Sequence, residues 1–267
     1  MDSSKRSQSK KVDQLICHCN NNLASKVFGS METDRIFSPI SIAYALSLLH
    51  IGAQGNTDAE LCNLFGGEYN IGDLGEIHKL LNNDVIKLAN CLAISDTLKV
   101  NPNYLKLLEQ VALITIENFE NSNSVKDKLN GFIEKNTNGL IKDIIKSINP
   151  STLAVLINTV YFKANWENKF EKHNTKSAPF TNSLNKTIID VQLMTNKDDF
   201  PYFEDDQMQM IEMPYVGNQF CMGVILPKSP TLMQSIMNGL SNFVNGEQNI
   251  FSSIDIHKIN DYSRKLT

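Results

Sequence analysis

The order of apolar patterns along the chain predicts an α+β fold with its helices ahead of its strands. Helical stretches opened by Ser-Pro or closed by Asn-Gly occupy the first half, as far as Asn138-Gly139. A run that is apolar at both parities, Thr152 to Lys163, follows them. Shorter strand-like segments come next, two of them flanking Val216-Gly217-Asn218, a hairpin turn. Helices first and strands later describe a mixed domain with large sheets.

The 267 residues allow one large domain or two small ones, and without internal repeats or a Pro/Gly/Ser-rich linker a single continuous domain is the simplest partition. With 42% hydrophobic and 20% charged residues the composition is that of a globular protein. A formal charge of −4 gives no reason to expect nucleic acid or an anionic membrane as partner. No window approaches the about 18 apolar residues of a membrane helix. Met1 to Gln14 is too polar for a secretory h-region, so the expected location is cytoplasmic or reached by unconventional secretion. Residues 1–11 are expected to be disordered.

The five cysteines, Cys17, Cys19, Cys62, Cys91 and Cys221, are odd in number and irregular in spacing, and read as reduced thiols. Cys17-His18-Cys19 lacks further ligands at zinc spacing, so neither metal nor cofactor is expected. The sequon Asn185-Lys186-Thr187 matters only in a secreted chain.

Element by element, Val12 to Phe28 reads as a helix through Leu15, Leu23, Ala24 and Val27. Ser38-Pro39 opens a second, Ser as cap and Pro at the first helical position. Its body, Ile40 to Ile51, is apolar nearly all round and is expected to be buried on every face. Thr57 caps a short helix ending near Phe65. Val85 to Ile94 reads as a strand, although its apolar spacing fits a short helix almost as well. Asn103 to Val111 and the amphipathic Val125 to Asn136 are helical. Thr152 to Lys163 is expected in the middle of a sheet, covered above and below. Ile188 to Met194, Met208 to Tyr215 and Gln219 to Leu226 are strands, and Pro230 to Phe243 returns to helix. Ile250 to Ile259 begins as a strand. Asp205-Asp206 and the Lys142 to Lys146 face read as solvated surface charge.

These segments, in this order, resemble the serpin family. Phe37-Ser38-Pro39-Ile40-Ser41-Ile42 is similar to the family's helix-B opening, followed by Ala45-Leu46 and Gly52-Ala53. Asn130, Phe132, Ile133, Thr137, Gly139 and Ile141 match the end of helix F. Leu156 to Trp166, then Phe170, resembles the third strand of sheet A running into its Trp-bearing end; Thr175 and Pro179-Phe180 continue it. Met213-Pro214-Tyr215 and Leu226-Pro227 look like the sheet-B hairpin. The resemblance implies a partial serpin fold, with N-terminal helices packed on a large mixed sheet A. It also implies an inhibitor of serine or cysteine endopeptidases that works when a cleaved loop inserts into sheet A as a strand, a conformational change that stores and releases strain.

By the same resemblance Ser38, Pro39, Ser41 and Asn158 fall at the family's shutter, and Trp166 at the breach where loop entry begins. Read from the residues alone, Ser38 is a helix cap, Ser41 a first-turn serine, Asn158 a buried amide and Trp166 a core aromatic. No catalytic residue is expected: His18, His50, His78, His173 and His257 sit in no recognisable motif, and no nucleophile elbow, P-loop or dinucleotide fingerprint is present.

After Ile254-Asp255-Ile256-His257 the sequence departs from the family pattern into Lys258 to Thr267, with no Glu-rich hinge, reactive loop or C-terminal Pro-Phe strand. The expectation is a single incomplete domain over 1–267 with a divergent tail, 258–267, whose reactive-centre bond lies outside it and which is inactive alone. Truncation, a split or processed chain, and a non-inhibitory binding protein or inert fragment are the competing explanations. The missing strands are expected to leave either a monomer or a chain prone to aggregate through exposed sheet edges. The family alternative for location is extracellular space.

Overall fold

The computed structural model describes residues 36–65, 81–181, 187–206 and 208–229, with 23, 24, 27, 75, 76, 78 and 79 beside them. The expectations for Cys17-His18-Cys19, for 1–11 and for everything after 229 lie outside these residues, as does Asn185 of the sequon. The described residues form two compact units, one ending at Lys163 and the other starting at Ala164.

The first unit is a three-stranded sheet with helices on both faces. Helix α1 (Pro39–His50) starts where Ser-Pro requires it to: Ser38 is extended, and its hydroxyl accepts from the Ser41 N–H at 3.4 Å. The expected burial on every face does not hold. Tyr44, Ser47 and Leu48 are buried, while Leu49 is 41% exposed. The helix rests on a sheet along one stripe and buries Ala43 on another side, while Ile40, Ile42, Ala45 and Leu46 are only partly covered. Helix α2 (Asn56–Phe65) follows, with His50 Nε2 of α1 2.9 Å from Asp58 Oδ1. Leu23, Ala43 and Phe65 share a small core with Val27 and Leu61.

Strand β1 (Ile86–Ser95) settles the ambiguity of that segment in favour of a strand. Helix α3 (Pro102–Leu108) is capped by Asn101. Strand β2 (Leu113–Glu117), which the sequence did not reveal, leads into helix α4 (Ser122–Asn136) and strand β3 (Ala154–Phe162). The strand order is β2-β1-β3, with β1 parallel to β2 and antiparallel to β3. The Thr152 to Lys163 segment is partly covered on both faces, by α1 and by α4, and among the described residues β1 takes the middle position of the sheet. Among the described residues β3 pairs on one edge only.

Alternation along β1 divides the packing. Leu88, Leu92 and Ile94 meet Tyr44 and Leu48 of α1, Leu108 of α3, and Leu156 and Val160 of β3. Cys91 and Ala93 point the other way, onto Val125, Leu129 and Ile133 of α4, with Ile157 of β3. Helix α4 stops at two left-handed residues, Asn138 (φ 51°) and Gly139 (φ 76°), and the Gly139 N–H returns to Glu134 O at 2.8 Å.

The second unit contains the antiparallel pair β4 (Lys176–Thr181) and β5 (Ile188–Leu193), and the sheet β6 (Tyr202–Glu204), β7 (Met208–Pro214) and β8 (Cys221–Pro227). β7 and β8 form the expected hairpin, with Gly217 (φ 87°) and Asn218 (φ 54°) at its turn. Asp205 is not free surface charge, since its carboxylate accepts the Met208 N–H at 2.8 Å at the entry to β7. Lys142 pairs with Glu134 at 2.8 Å.

Candidate functional site

A chain of polar side chains crosses the otherwise apolar interface between α1 and the sheet. Asn158 of β3 lies directly opposite Asn90 of β1, so both amides rise on the face toward α1. Asn158 Nδ2 donates to Asn90 Oδ1 at 2.7 Å. From above, Ser41 Oγ in the first turn of α1 donates to Asn158 Oδ1. Ser41 is in turn held by Ser38 through the cap bond, and Pro39 fixes the turn between them. One residue further along β3, the Thr159 hydroxyl donates to Ala89 O of β1 at 3.4 Å.

The setting makes these bonds consequential. Ser41 is 6% exposed and Asn90 2%, and burial pushes the hydroxyl of nearby Tyr44 above the ordinary tyrosine range. An amide buried without a partner costs roughly 1–3 kcal/mol. Asn90 Nδ2 is in that position, buried with no hydrogen-bond partner. The seam therefore holds helix and strands in register through neutral, exchangeable hydrogen bonds, with one donor to spare.

The structure thus brings Ser38, Pro39, Ser41 and Asn158 together. Asn90 was not anticipated, although its signal was legible: an Asn in mid-strand within an apolar run needs a partner, and Asn158 stands in the same position of the other run.

Trp166 lies in the second unit. It bridges to Tyr215 as an isolated antiparallel pair, and the two rings stack with centroids 4.4 Å apart at 14°. Phe170 meets the indole edge-on at 6.1 Å. Backbone bonds on both sides, Glu167 N to Pro214 O (3.0 Å) and Val216 N to Asn165 O (2.9 Å), fix this stack to the β7–β8 hairpin.

At the end of β1 a cleft of about 420 Å³ opens between Ser95, Thr97, Asn118, Phe119 and Ser151. Among the described residues no group of three or more His, Cys, Asp or Glu side chains is placed to hold a metal ion, and no helix is long and apolar enough to cross a membrane.

Comparison with known proteins agrees with this architecture. Residues 18–255 match the serpin (serine protease inhibitor) family. An uncharacterized serpin-like protein of Acanthamoeba polyphaga mimivirus is 32% identical over 263 residues, covering 96% of this chain and 65% of that protein. Human neuroserpin is 28% identical over 240 residues, covering 81% of this chain and 58% of neuroserpin. The chain therefore spans somewhat under two-thirds of the length of these relatives. Emu ovalbumin superposes with a TM-score of 0.77 at 23% identity, over 85% of this chain and 67% of ovalbumin. Lamprey angiotensinogen, in a form with its reaction loop cleaved, does so at 0.76 and 24%, over 90% and 73% of the two chains. Ser-capped helix, polar seam, three-stranded sheet and hairpin occur in the order expected from the resemblance, and the chain belongs to the serpin family.

Proposed function

We propose that this chain is the strand-accepting body of an inhibitor of serine or cysteine endopeptidases. In this reading the protease cuts a reactive loop that lies outside residues 1–267, and the freed loop joins the sheet beside β3, on the edge left unpaired among the described residues. Ser38, Pro39, Ser41 and Asn158 act as the shutter that keeps helix α1 and the strands in register until then, and Trp166 marks the breach. Serpins are mostly protease inhibitors rather than enzymes, which favours this role over catalysis.

The observation that carries the reading is the Ser41–Asn158–Asn90 chain. It runs through the strand whose second edge is unpaired among the described residues. Apolar contacts in its place would resist sliding, whereas amide and hydroxyl bonds can be exchanged for equivalent ones as a sheet rearranges.

The test mixes the purified chain with trypsin-, chymotrypsin- and elastase-like proteases and separates the products on a denaturing gel. The 267-residue chain alone is expected to be digested without forming an adduct. A peptide of strand length and Ala/Thr/Gly-rich composition, added in excess, is expected to raise its thermal midpoint by pairing beside β3. An adduct with the chain alone would place the bait within residues 1–267. No effect of any such peptide would remove strand acceptance from the reading.

A further inference from the structure

Helix α4 is fastened to the sheet unequally along its length. Val125, Leu129 and Ile133 press onto Cys91 and Ile157, an apolar strip. Beside it Lys128 reaches the edge strand β2, where its Nζ lies 2.7 Å from Thr115 Oγ1 and also contacts the Glu117 carboxylate. The Thr115 hydroxyl donates to that same carboxylate. The Glu117 side chain is 11% exposed and that of Lys128 55%. Burial by itself would raise the Glu117 carboxyl, but the Lys128 and Thr115 bonds outweigh it and hold it below the ordinary glutamate range.

The helix's other polar ties act elsewhere. Asn130 binds both the N–H and the carbonyl of Ile145, and Thr137 accepts from the Ile141 N–H, so both fasten the helix to the segment that follows it. A tie to the sheet at the far end joins Lys87 Nζ to Asn138 Oδ1 at 3.0 Å, and it is exposed and ends on a neutral amide. The C-terminal end is thus tied to β1 by one exposed bond to a neutral amide, while the N-terminal half is tied to β2 by a charged pair whose carboxylate side chain is mostly covered. Losing the cation from a mostly covered carboxylate that accepts two hydrogen bonds is more disruptive than losing a fully exposed pair.

We propose that Lys128, Glu117 and Thr115 form a latch, and that releasing it lets the N-terminal half of α4 lift about its C-terminal end and uncovers the Cys91 thiol beneath. The latch stands whether or not the chain traps a protease, because it concerns only the packing of the first unit.

Cys91 is 1% exposed, whereas Cys221 in the second unit is exposed, so one alkylating reagent reads both states of one molecule. The folded full chain is treated with iodoacetamide at fixed pH, and each cysteine-containing peptide is followed by mass. Lys128→Met is expected to speed Cys91 labelling about tenfold, as for loss of a hydrogen bond to a charged group, with Cys221 unchanged. Lys128→Arg is expected to restore the slow rate. Thiol chemistry cannot mimic the effect, because removing the Lys128 charge makes the Cys91 thiol harder to ionise. If Lys128→Met does not fold, hydrogen exchange of amides 125–129 in the isosteric Glu117→Gln variant decides, with selective acceleration expected. A change below about twofold, the scale of an ordinary exposed pair, would overturn the proposal. So would an acceleration matched by a Leu48→Ala variant of equal urea stability, since that would mean global unfolding.

Discussion

Asn158 and Asn90 stand opposite each other in the β1–β3 ladder, and Asn158 Nδ2 donates to Asn90 Oδ1 at 2.7 Å while Asn158 Oδ1 accepts from Ser41. Asn158 is the shared member, so its removal strands two polar groups at once. Asn158→Ala is expected to lower unfolding stability by about 2–4 kcal/mol. Asn90→Ala should cost less, because it also removes the Nδ2 that has no partner. Urea unfolding of both variants checks the order, and equal losses would show that the seam is not organised around Asn158.

A second prediction concerns the turn after α1. A Cβ on Gly52 would lie 2.8 Å from Cε2 of Tyr104, whose ring is held by the Tyr104 hydroxyl donating to Leu48 O at 2.8 Å. The ring cannot swing aside without losing that bond. Gly52→Ala is therefore expected to destabilise by about 1–3 kcal/mol, the usual scale of overpacking. A double-mutant cycle with Tyr104→Leu is the check. The two losses should be strongly non-additive, with the alanine tolerated once the ring is gone.

What the sequence disclosed and what it withheld follow from where side chains carry information. Ser38-Pro39, Asn138-Gly139 and Gly217-Asn218 were readable because backbone geometry restricts which residues fit there. β2 was not, since in Leu113–Glu117 both Leu113 (50%) and Ile116 (54%) are exposed, so no alternation marks a buried face. β4 carries Pro179, and β6 has only three residues. The position of β3 in its sheet is a different case, since among the described residues it pairs on one edge only. A strand apolar on both faces reports cover above and below, but the pairing of its edges is a property of the backbone and leaves no trace in side chains. Asn158 and Ser41 were legible as candidates; Asn90 was legible as a mid-strand amide in need of a partner, but which partner depended on the β1–β3 register.

Cys91 gives a prediction in alkaline solution. Burial is the largest influence on its thiol, which is pushed up to about 11 from an ordinary value of 9.0, Lys128 opposing and Glu117 adding to the rise. Below pH 9 the thiol is protonated in both the folded and the unfolded chain and has no effect on the balance. Between pH 9 and about 11 the unfolded chain releases the proton and the folded chain does not, so stability falls as pH rises through this window. Cys91→Ala is expected to show a shallower loss than the parent over that range. Urea midpoints at several pH values from 8 to 11 measure it, and parallel curves would mean that the thiol ionises without opening the core.

Trp166 is the chain's one tryptophan, which makes its stack on Tyr215 directly observable. The 4.4 Å contact, together with the edge of Phe170, shields the indole and fixes it to the hairpin turn through the flanking backbone bonds. An aromatic pair of this kind contributes about 0.5–1.5 kcal/mol beyond the area it buries. Tyr215→Leu keeps an apolar side chain but removes the face-to-face partner, so Trp166 emission is expected to shift to longer wavelength in the folded state. In urea the same emission should follow the second unit. Because Cys91 labelling follows the first, the two signals together show whether the units unfold as one. If Tyr215→Leu leaves the emission unchanged, the indole is shielded by something other than Tyr215, and the stack is not what anchors Trp166 to the hairpin.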